Sequence, residues 1–398
     1  LDQALVSVGN FTVIILLARA LGVSEFGIFS IFSTVFVFSF LIHWSLISAP
    51  MQVNYVTIKK SLKGEFFFAV FIHALIISTL SGIIGLFVMN SVTEFNINSA
   101  SGLIIFSCLF FMTMQEFVRR WMHLVKKPNL AFYSDVLRYI LPVIIILAFG
   151  ETFLEDELLL YLFTISVCAF LGCLLIVREL FWASYSYHSI FEYGRLNIIS
   201  GQWLLLTSVL QSINFSAPIY VLSGWHSISS AGAYRAVYNL LSPVISISEA
   251  FETFLPNRTK IALLEKGKEE LNRVILNWFL IFVLPVAIFL VIVNVMGVDL
   301  LGWFFGTEYK VFSILIFPIS LAMILQYMVY FINITLRVKG LTKYIFYADL
   351  FSTISLVSSI VLLGVGEYGE GVAMSVAIAQ LCKLGVLFLY NIKKGVFG

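Results

Sequence analysis

Phe132-Tyr133-Ser134-Asp135-Val136-Leu137 returns 214 residues later as Phe346-Tyr347-Ala348-Asp349-Leu350-Phe351. In both places an aspartate stands near the start of a long apolar run, spanning about 130–149 in the first copy and 342–363 in the second. A looser echo, at an offset of about 205, sets Asn10-Phe11 and Phe26-Gly27-Ile28-Phe29 against Asn214-Phe215 and Ala231-Gly232-Ala233-Tyr234. Short apolar matches arise easily by chance, but these fall at equivalent points of two halves. The chain reads as a duplicated helical unit.

The apolar runs are too long and too many for a fold in water. Of 398 residues, 60% are apolar and 12% charged, with mean hydropathy +1.00; a soluble domain is nearer half apolar and about a quarter charged. A helix needs roughly 20 apolar residues to cross the hydrocarbon layer. That scale gives spans at 2–21, 26–49, 65–90, 102–124, 130–149, 158–178, 198–222, 231–255, 273–298, 311–336, 342–363 and 371–392, about twelve in all. The expectation is an all-α integral membrane protein, with lobes 1–197 and 198–398 of six helices each, placed pseudo-symmetrically around a central cavity. Six spans between copies give both lobes the same orientation, related by an axis along the membrane normal.

Charge tests the map independently. One set of alternate loops and helix ends, together with the C-terminal tail, holds 19 of the 24 basic residues, from Lys59, Lys60 and Lys63 through Lys126 and Lys127 to Lys393 and Lys394. The opposite loops offer Arg19 and Lys310 against ten acids, among them Glu25, Glu94, Glu151, Glu155, Asp156, Glu308 and Glu367. Lys and Arg accumulate on the cytoplasmic side, so both termini are expected there. No cleavable signal is visible at the first run, and a short basic or amphipathic start is expected before Leu1. Cys108, Cys168, Cys173 and Cys382 lie in apolar runs without metal-ligand spacing and read as packing residues.

The opening run, Asp2-Gln3-Ala4-Leu5-Val6-Ser7 to Asn10-Phe11 and then Leu17-Ala18-Arg19-Ala20-Leu21-Gly22-Val23-Ser24-Glu25-Phe26-Gly27-Ile28-Phe29, resembles the start of the polysaccharide biosynthesis exporters. That family includes the O-antigen and capsule repeat-unit flippases, within the superfamily of the multidrug extruders and murein-precursor flippases. Gly371-Val372-Ala373-Met374-Ser375-Val376-Ala377 is similar to the small-residue start of that family's last helix. The resemblance is sharp over about the first 30 residues and otherwise lies in topology. It implies an inner-membrane flippase for undecaprenyl-diphosphate-linked oligosaccharide, working by alternating access with H⁺ or Na⁺ coupling, without a cofactor or covalent chemistry. Other polysaccharide assembly proteins would then be its partners, and nucleic acid would not.

Ionisable groups inside spans are costly and count first as functional candidates. Lys383 falls near the middle of the last span with Gln380 one turn away, Arg138 lies two turns into the fifth, and Arg235 begins the eighth. Cations suit a diphosphate. Arg138 can equally pair with Asp135, and Arg119 with Glu116, as i,i+3 neighbours. Gln211 and Asn214, on the polar side of the seventh span, can line a sugar path or join helices. Glu249 and Glu252 share a face and could couple a proton, or face the basic loop beyond them; Asp135 and Asp349 could couple an ion or share a structural role at each lobe's mouth. His43 and His73 read as interhelical hydrogen bonders or proton relays, and Pro142, Pro218, Pro243, Pro285 and Pro318 as kinks.

Gly364-Val365-Gly366-Glu367-Tyr368-Gly369 matches a nucleotide-loop pattern but follows no strand. The sequons at Asn10 and Asn333 lie in or beside spans. No Walker loop, zinc motif or nucleophile–base pair is present, which argues against an ATP-driven pump or a hydrolase. A polymerase or ligase of the same pathway would carry a large outer loop, and a multidrug extruder an anionic cavity. The topology predicts that alkaline phosphatase fused after Ser227 is active and fused after Lys268 inactive in intact bacteria. The opposite pattern would reverse the orientation.

Overall fold

In hydrocarbon, each backbone N–H and C=O must find its partner within its own segment, and a helix achieves this without neighbours. The computed structural model describes residues 2–92, 98–149, 157–181, 186–339 and 341–393; at some helical positions, Glu249 and Glu252 among them, only the backbone is described. The regular elements of the described residues are all helical.

Helices α1 and α2 share one run, Asp2–His43, divided at Gly22, whose φ of 66° glycine takes without a Cβ penalty. α2 continues through a π-turn, Trp44–Ser48, into Ala49–Thr57. α3 is Lys63–Val92 and α4 Ser99–Leu124, the latter capped by Asn98, whose side chain accepts from the N–H groups of Ala100 and Ser101. α5 begins as Pro128–Asp135, widens into a π-turn at Val136–Ile140 and ends as Leu141–Phe149. α6 is Glu157–Leu174 and α7 Tyr187–Trp225. α8 starts as Ile228–Leu240, breaks, and resumes at Pro243 in a run reaching Phe304; Gly267, φ 83°, divides that run, and α9 follows. A 3₁₀ segment, Thr307–Leu315, leads into α10, Ile316–Val338; α11 is Thr342–Leu363 and α12 Glu370–Lys393.

By length and apolarity alone, eight described helices can cross a membrane. That count takes Gly9–Gln52 as one and omits the broken α5 and α8 and the short Leu158–Leu174; divided at their breaks, the helices follow the twelve sequence runs. The packing forms two units: Leu1–Leu21 with Ile28–Ser212, and Gly22–Gly27 with Ile213–Gly398. α7 runs unbroken past residue 197. Its early part belongs to the first unit, where Asn54 Nδ2 donates to Asn197 Oδ1 at 2.9 Å and Ser189 donates to Glu65.

The first unit's core joins α2, α3, α4 and α7 around Phe66, Phe67, Phe117, Trp121 and Tyr193, with Phe67 and Trp121 centroids 4.5 Å apart. Val329, Leu336, Ile345, Ala348 and Leu387 form a core of α10, α11 and α12 in the second. Outward residues such as Phe87, Val295 and Leu362 are largely exposed, as a lipid-facing surface requires. The glycine-rich join of α11 to α12 is a structural turn. Gly364, Gly366 and Gly369 take positive φ there, and the Glu370 carboxylate accepts from the N–H groups of Glu367 and Tyr368.

Both π-turns precede a proline by two residues: Ser48 before Pro50, and Ile140 before Pro142. Proline lacks an N–H and its ring crowds the carbonyl four residues back. A widened turn relieves that crowding, and Ala49 and Leu141 donate five residues back, to Trp44 and Val136. The expected kink at Pro142 is therefore expressed as a π-turn. α7 seats against the other: a Cβ on Gly201 would lie 2.2 Å from the Ser45 carbonyl oxygen. Gly201→Val should cost about 1–3 kcal/mol through overpacking and lower the melting temperature of purified protein in detergent. Wild-type stability in that assay would rule out the close seat.

Candidate functional site

The first unit buries a cluster of charges contributed by α4 and α5, with an imidazole from α2. Glu116, Asp135 and Arg138 are buried; Arg119 and Arg120 keep side-chain exposures of 19% and 21%. Arg138 Nη1 donates to Glu116 Oε1 at 2.9 Å, and Arg119 Nε to Asp135 Oδ2 at 2.9 Å. Arg119 and Arg120 each stand 3.8 Å from Glu116 Oε2. The Arg138 guanidinium lies 5.1 Å from the ring centroids of Phe36 and Tyr139, and Arg120 lies 5.6 Å from Phe36's helical neighbour Phe40. Gln115 closes the α4–α5 contact by donating to the carbonyl and hydroxyl of Ser134.

The π-turns bring this cluster together. Asp135 and Arg138, three apart, would be neighbours on a regular helix. Across the interface with α4, Arg138 pairs with Glu116 and Asp135 with Arg119, and Asp135 and Arg138 stay close enough for their charges to act on one another. His43, immediately before the other π-turn, is 1% exposed; its Nδ1 lies 3.4 Å from Ser48 Oγ and its Nε2 makes no hydrogen bond. The 2.9 Å partner of Arg138 is thus Glu116, with its i,i+3 neighbour Asp135 adding its charge, and Glu116 and Arg119 keep their contact.

In the second unit, Lys383 of α12 forms an ion pair with Asp349 of α11, and both are buried. Sequence proximity gives no hint of this acid. The repeat-related aspartates are each paired, but Asp135 takes its cation from α4 and Asp349 from α12. Ser352 donates to the Ala379 carbonyl beside the pair. Asn214 Nδ2 donates to Thr353 Oγ1 at 3.1 Å, which joins α7 to α11. Gln211 is half-buried, and Gln380 Oε1 is buried without a hydrogen bond. Arg235 lies 5.2 Å from the Phe215 ring centroid and 6.0 Å from that of Tyr238, and its Nε makes no hydrogen bond. The side chains of Glu249 and Glu252 lie outside the described residues. His73 Nδ1 is buried without a hydrogen bond, with Gly194 close against the ring. Just after α10, burial first and then the charge of Lys268 hold Lys339 below its ordinary value.

The structure thus assembles Arg138, Asp135 and Glu116 in one cluster, and Lys383 with Asp349 in another. Sequence reading missed Glu116 as a centre shared by three arginines. Its signal was present in the spacing of Glu116, Arg119 and Arg120 inside an apolar run, where one acid faces several cations on successive turns.

MurJ, the lipid II flippase, in an inward closed conformation, matches with a TM-score of 0.75 at 14% identity, over 98% of this chain and 86% of MurJ. An inward-facing multidrug resistance MATE transporter of the MOP superfamily matches with a TM-score of 0.73 at 15% identity, over 98% of this chain and 94% of the transporter. The fold is the MOP fold. A MOP superfamily transporter from Pyrococcus furiosus shares it at a TM-score of 0.65 and 14% identity, over 98% and 94% of the two chains. No family model and no curated protein matches the chain in sequence. On the MOP scaffold, this chain places buried ion pairs in both units.

Breaking one partner of a buried pair leaves an uncompensated charge and costs about 3–5 kcal/mol, whereas removing both is far milder. Lys383→Met should therefore destabilise the protein in detergent more than the double change Lys383→Met with Asp349→Leu. Thermal melts in which the two effects simply added would show that the pair does not couple.

Proposed function

We propose that this chain is a flippase that carries undecaprenyl-diphosphate-linked oligosaccharide from the cytoplasmic to the periplasmic leaflet of a bacterial inner membrane. Alternating access of the two units would move the charged headgroup while the polyprenyl tail stays in lipid. The observation that carries this reading is an excess of guanidinium over carboxylate in a largely buried cluster, on a fold shared with a lipid II flippase: three arginines face two carboxylates in the first unit. Arg235 adds a guanidinium whose described close neighbours are aromatic rings. Guanidinium matches phosphate in geometry and binds it through paired hydrogen bonds. Aromatic faces beside it suit the apolar faces of sugar rings.

A multidrug antiporter is the second reading, favoured by the MATE likeness at almost the same TM-score. A site for cationic drugs needs a carboxylate that is not already neutralised. Among the described residues, Glu116, Asp135 and Asp349 each have a cation within ion-pair distance. Pocket polarity also differs between proteins of this fold: the Pyrococcus furiosus transporter has a binding pocket of reverse polarity, which suggests a different function for it. Interior charge therefore discriminates where fold does not.

Deletion of the gene should abolish the surface polysaccharide and leave lipid-linked repeat units facing the cytoplasm. Normal surface glycan with lost drug resistance would favour the antiporter. In the complemented strain, Arg235→Ala should reduce export about tenfold or more, the loss of one hydrogen bond to a charged group, at an unchanged level of protein in the membrane. Full export by that variant would remove Arg235 from the headgroup path.

A further inference from the structure

The arginines of the first unit face a choice of anion. Arg138 already serves Glu116 at 2.9 Å, and Arg120 and Arg119 each stand 3.8 Å from the same carboxylate, Arg119 being held more closely by Asp135 at 2.9 Å. Glu116 is 5% exposed, and its Oε2 makes no hydrogen bond. An incoming anion that draws these guanidiniums to itself strips the carboxylate of its compensation. A bare carboxylate in such surroundings is far costlier than a protonated one.

We propose that the cluster is an anion–proton exchange site, in which an anionic headgroup displaces Glu116 from Arg138 and Arg120 and the released carboxylate takes up a proton. The proposal rests on the flippase reading for its ligand, a diphosphate, but not for its chemistry. Arginine holds its proton at any physiological pH, so the exchangeable proton belongs to the other groups. Around Glu116 these are His43 from α2 and, on α5, Asp135 and Tyr139. Asp135 is held by Arg119, and the phenol ordinarily titrates near pH ~10. His43 presents an unbonded Nε2 to buried surroundings and is the natural relay. The two π-turns place both members: one follows His43 and the other contains Arg138. Arg119 and Arg120, each about one-fifth exposed, leave the cluster an open edge for the anion.

The exchange has a thermodynamic signature. If anion binding brings in one proton, then lower pH must strengthen anion binding, by up to about tenfold per pH unit while Glu116 titrates. The empty carrier keeps its ion pairs closed, and the loaded carrier has the headgroup on its arginines with Glu116 neutral.

Calorimetric titration of the full chain in lipid nanodiscs tests this, with farnesyl diphosphate and inorganic pyrophosphate as ligands in two buffers of different ionisation enthalpy. Uptake near one proton per ligand is expected for the wild type. Glu116→Gln should bind with uptake close to zero, and because the ligand is the same its own titration cancels in the comparison. Uptake with both ligands supports the exchange and makes the diphosphate the recognised part; uptake with farnesyl diphosphate alone supports it for the lipid-linked form. Binding without uptake in the wild type overturns the exchange and spares the flippase reading, a result that needs no variant. Undiminished uptake in Glu116→Gln also overturns it. Binding of neither ligand would count against the flippase reading as well as the exchange.

Discussion

A charge inside a helix bundle surrounded by lipid needs a counter-charge, a polar partner or cavity water within reach, because hydrocarbon cannot stand in for them. In this protein that requirement decides which helices touch and where. Arg138 of α5 reaches Glu116 of α4, Arg119 of α4 reaches Asp135 of α5, and Lys383 of α12 reaches Asp349 of α11. Apolar packing cannot set such registers by itself, since lipid chains are as apolar as leucine and compete for the same surfaces. The ion pairs pin adjacent helices, and the aromatic clusters of Phe67, Phe117 and Trp121 fill the space around them. Pairs of this kind contribute more to register than to net stability, because desolvation consumes most of their attraction.

The prolines set where those charges can point. Pro50 and Pro142 each force the preceding turn to widen, and the widened turns adjoin His43 and contain Arg138. Arg138, inside the second of these turns, meets Glu116 of α4 at 2.9 Å. A backbone feature imposed by a missing N–H thereby becomes a feature of the charged cluster. Gly201 records the same geometry from outside, since only hydrogen at its α-carbon allows α7 to approach the carbonyl of Ser45 in the turn.

Much of this architecture is legible in the chain itself. Apolar length and the alternation of Lys and Arg among loops are one-dimensional signals, and they mark the helices that the structure contains, including those divided at Gly22 and Gly267. The site is less legible because its partners meet across helix interfaces. Nothing in the sequence around Lys383 points to Asp349, 34 residues earlier, and i,i+3 spacing suggests Asp135 for Arg138, whose 2.9 Å partner is Glu116. The repeat identifies Asp135 and Asp349 as equivalent. It does not reveal that their cations come from different directions.

That difference bears on how a duplicated fold acquires function. With the offset of 214, Glu116, Arg119 and Arg138 correspond to Tyr330, Asn333 and Ser352, and Lys383 to Ala169. The aspartate is the element common to both copies, and its cation comes from a different helix in each. In the second unit one lysine suffices, and one charge balances the other. In the first unit three guanidiniums share two carboxylates, so the cluster's arginines outnumber its carboxylates by one. Structural pairing alone would be satisfied by the simpler arrangement, which the same fold already uses. The additional arginine and the additional glutamate thus call for a reason beyond holding helices together, and an anion that comes and goes is the one that an excess of guanidinium fits.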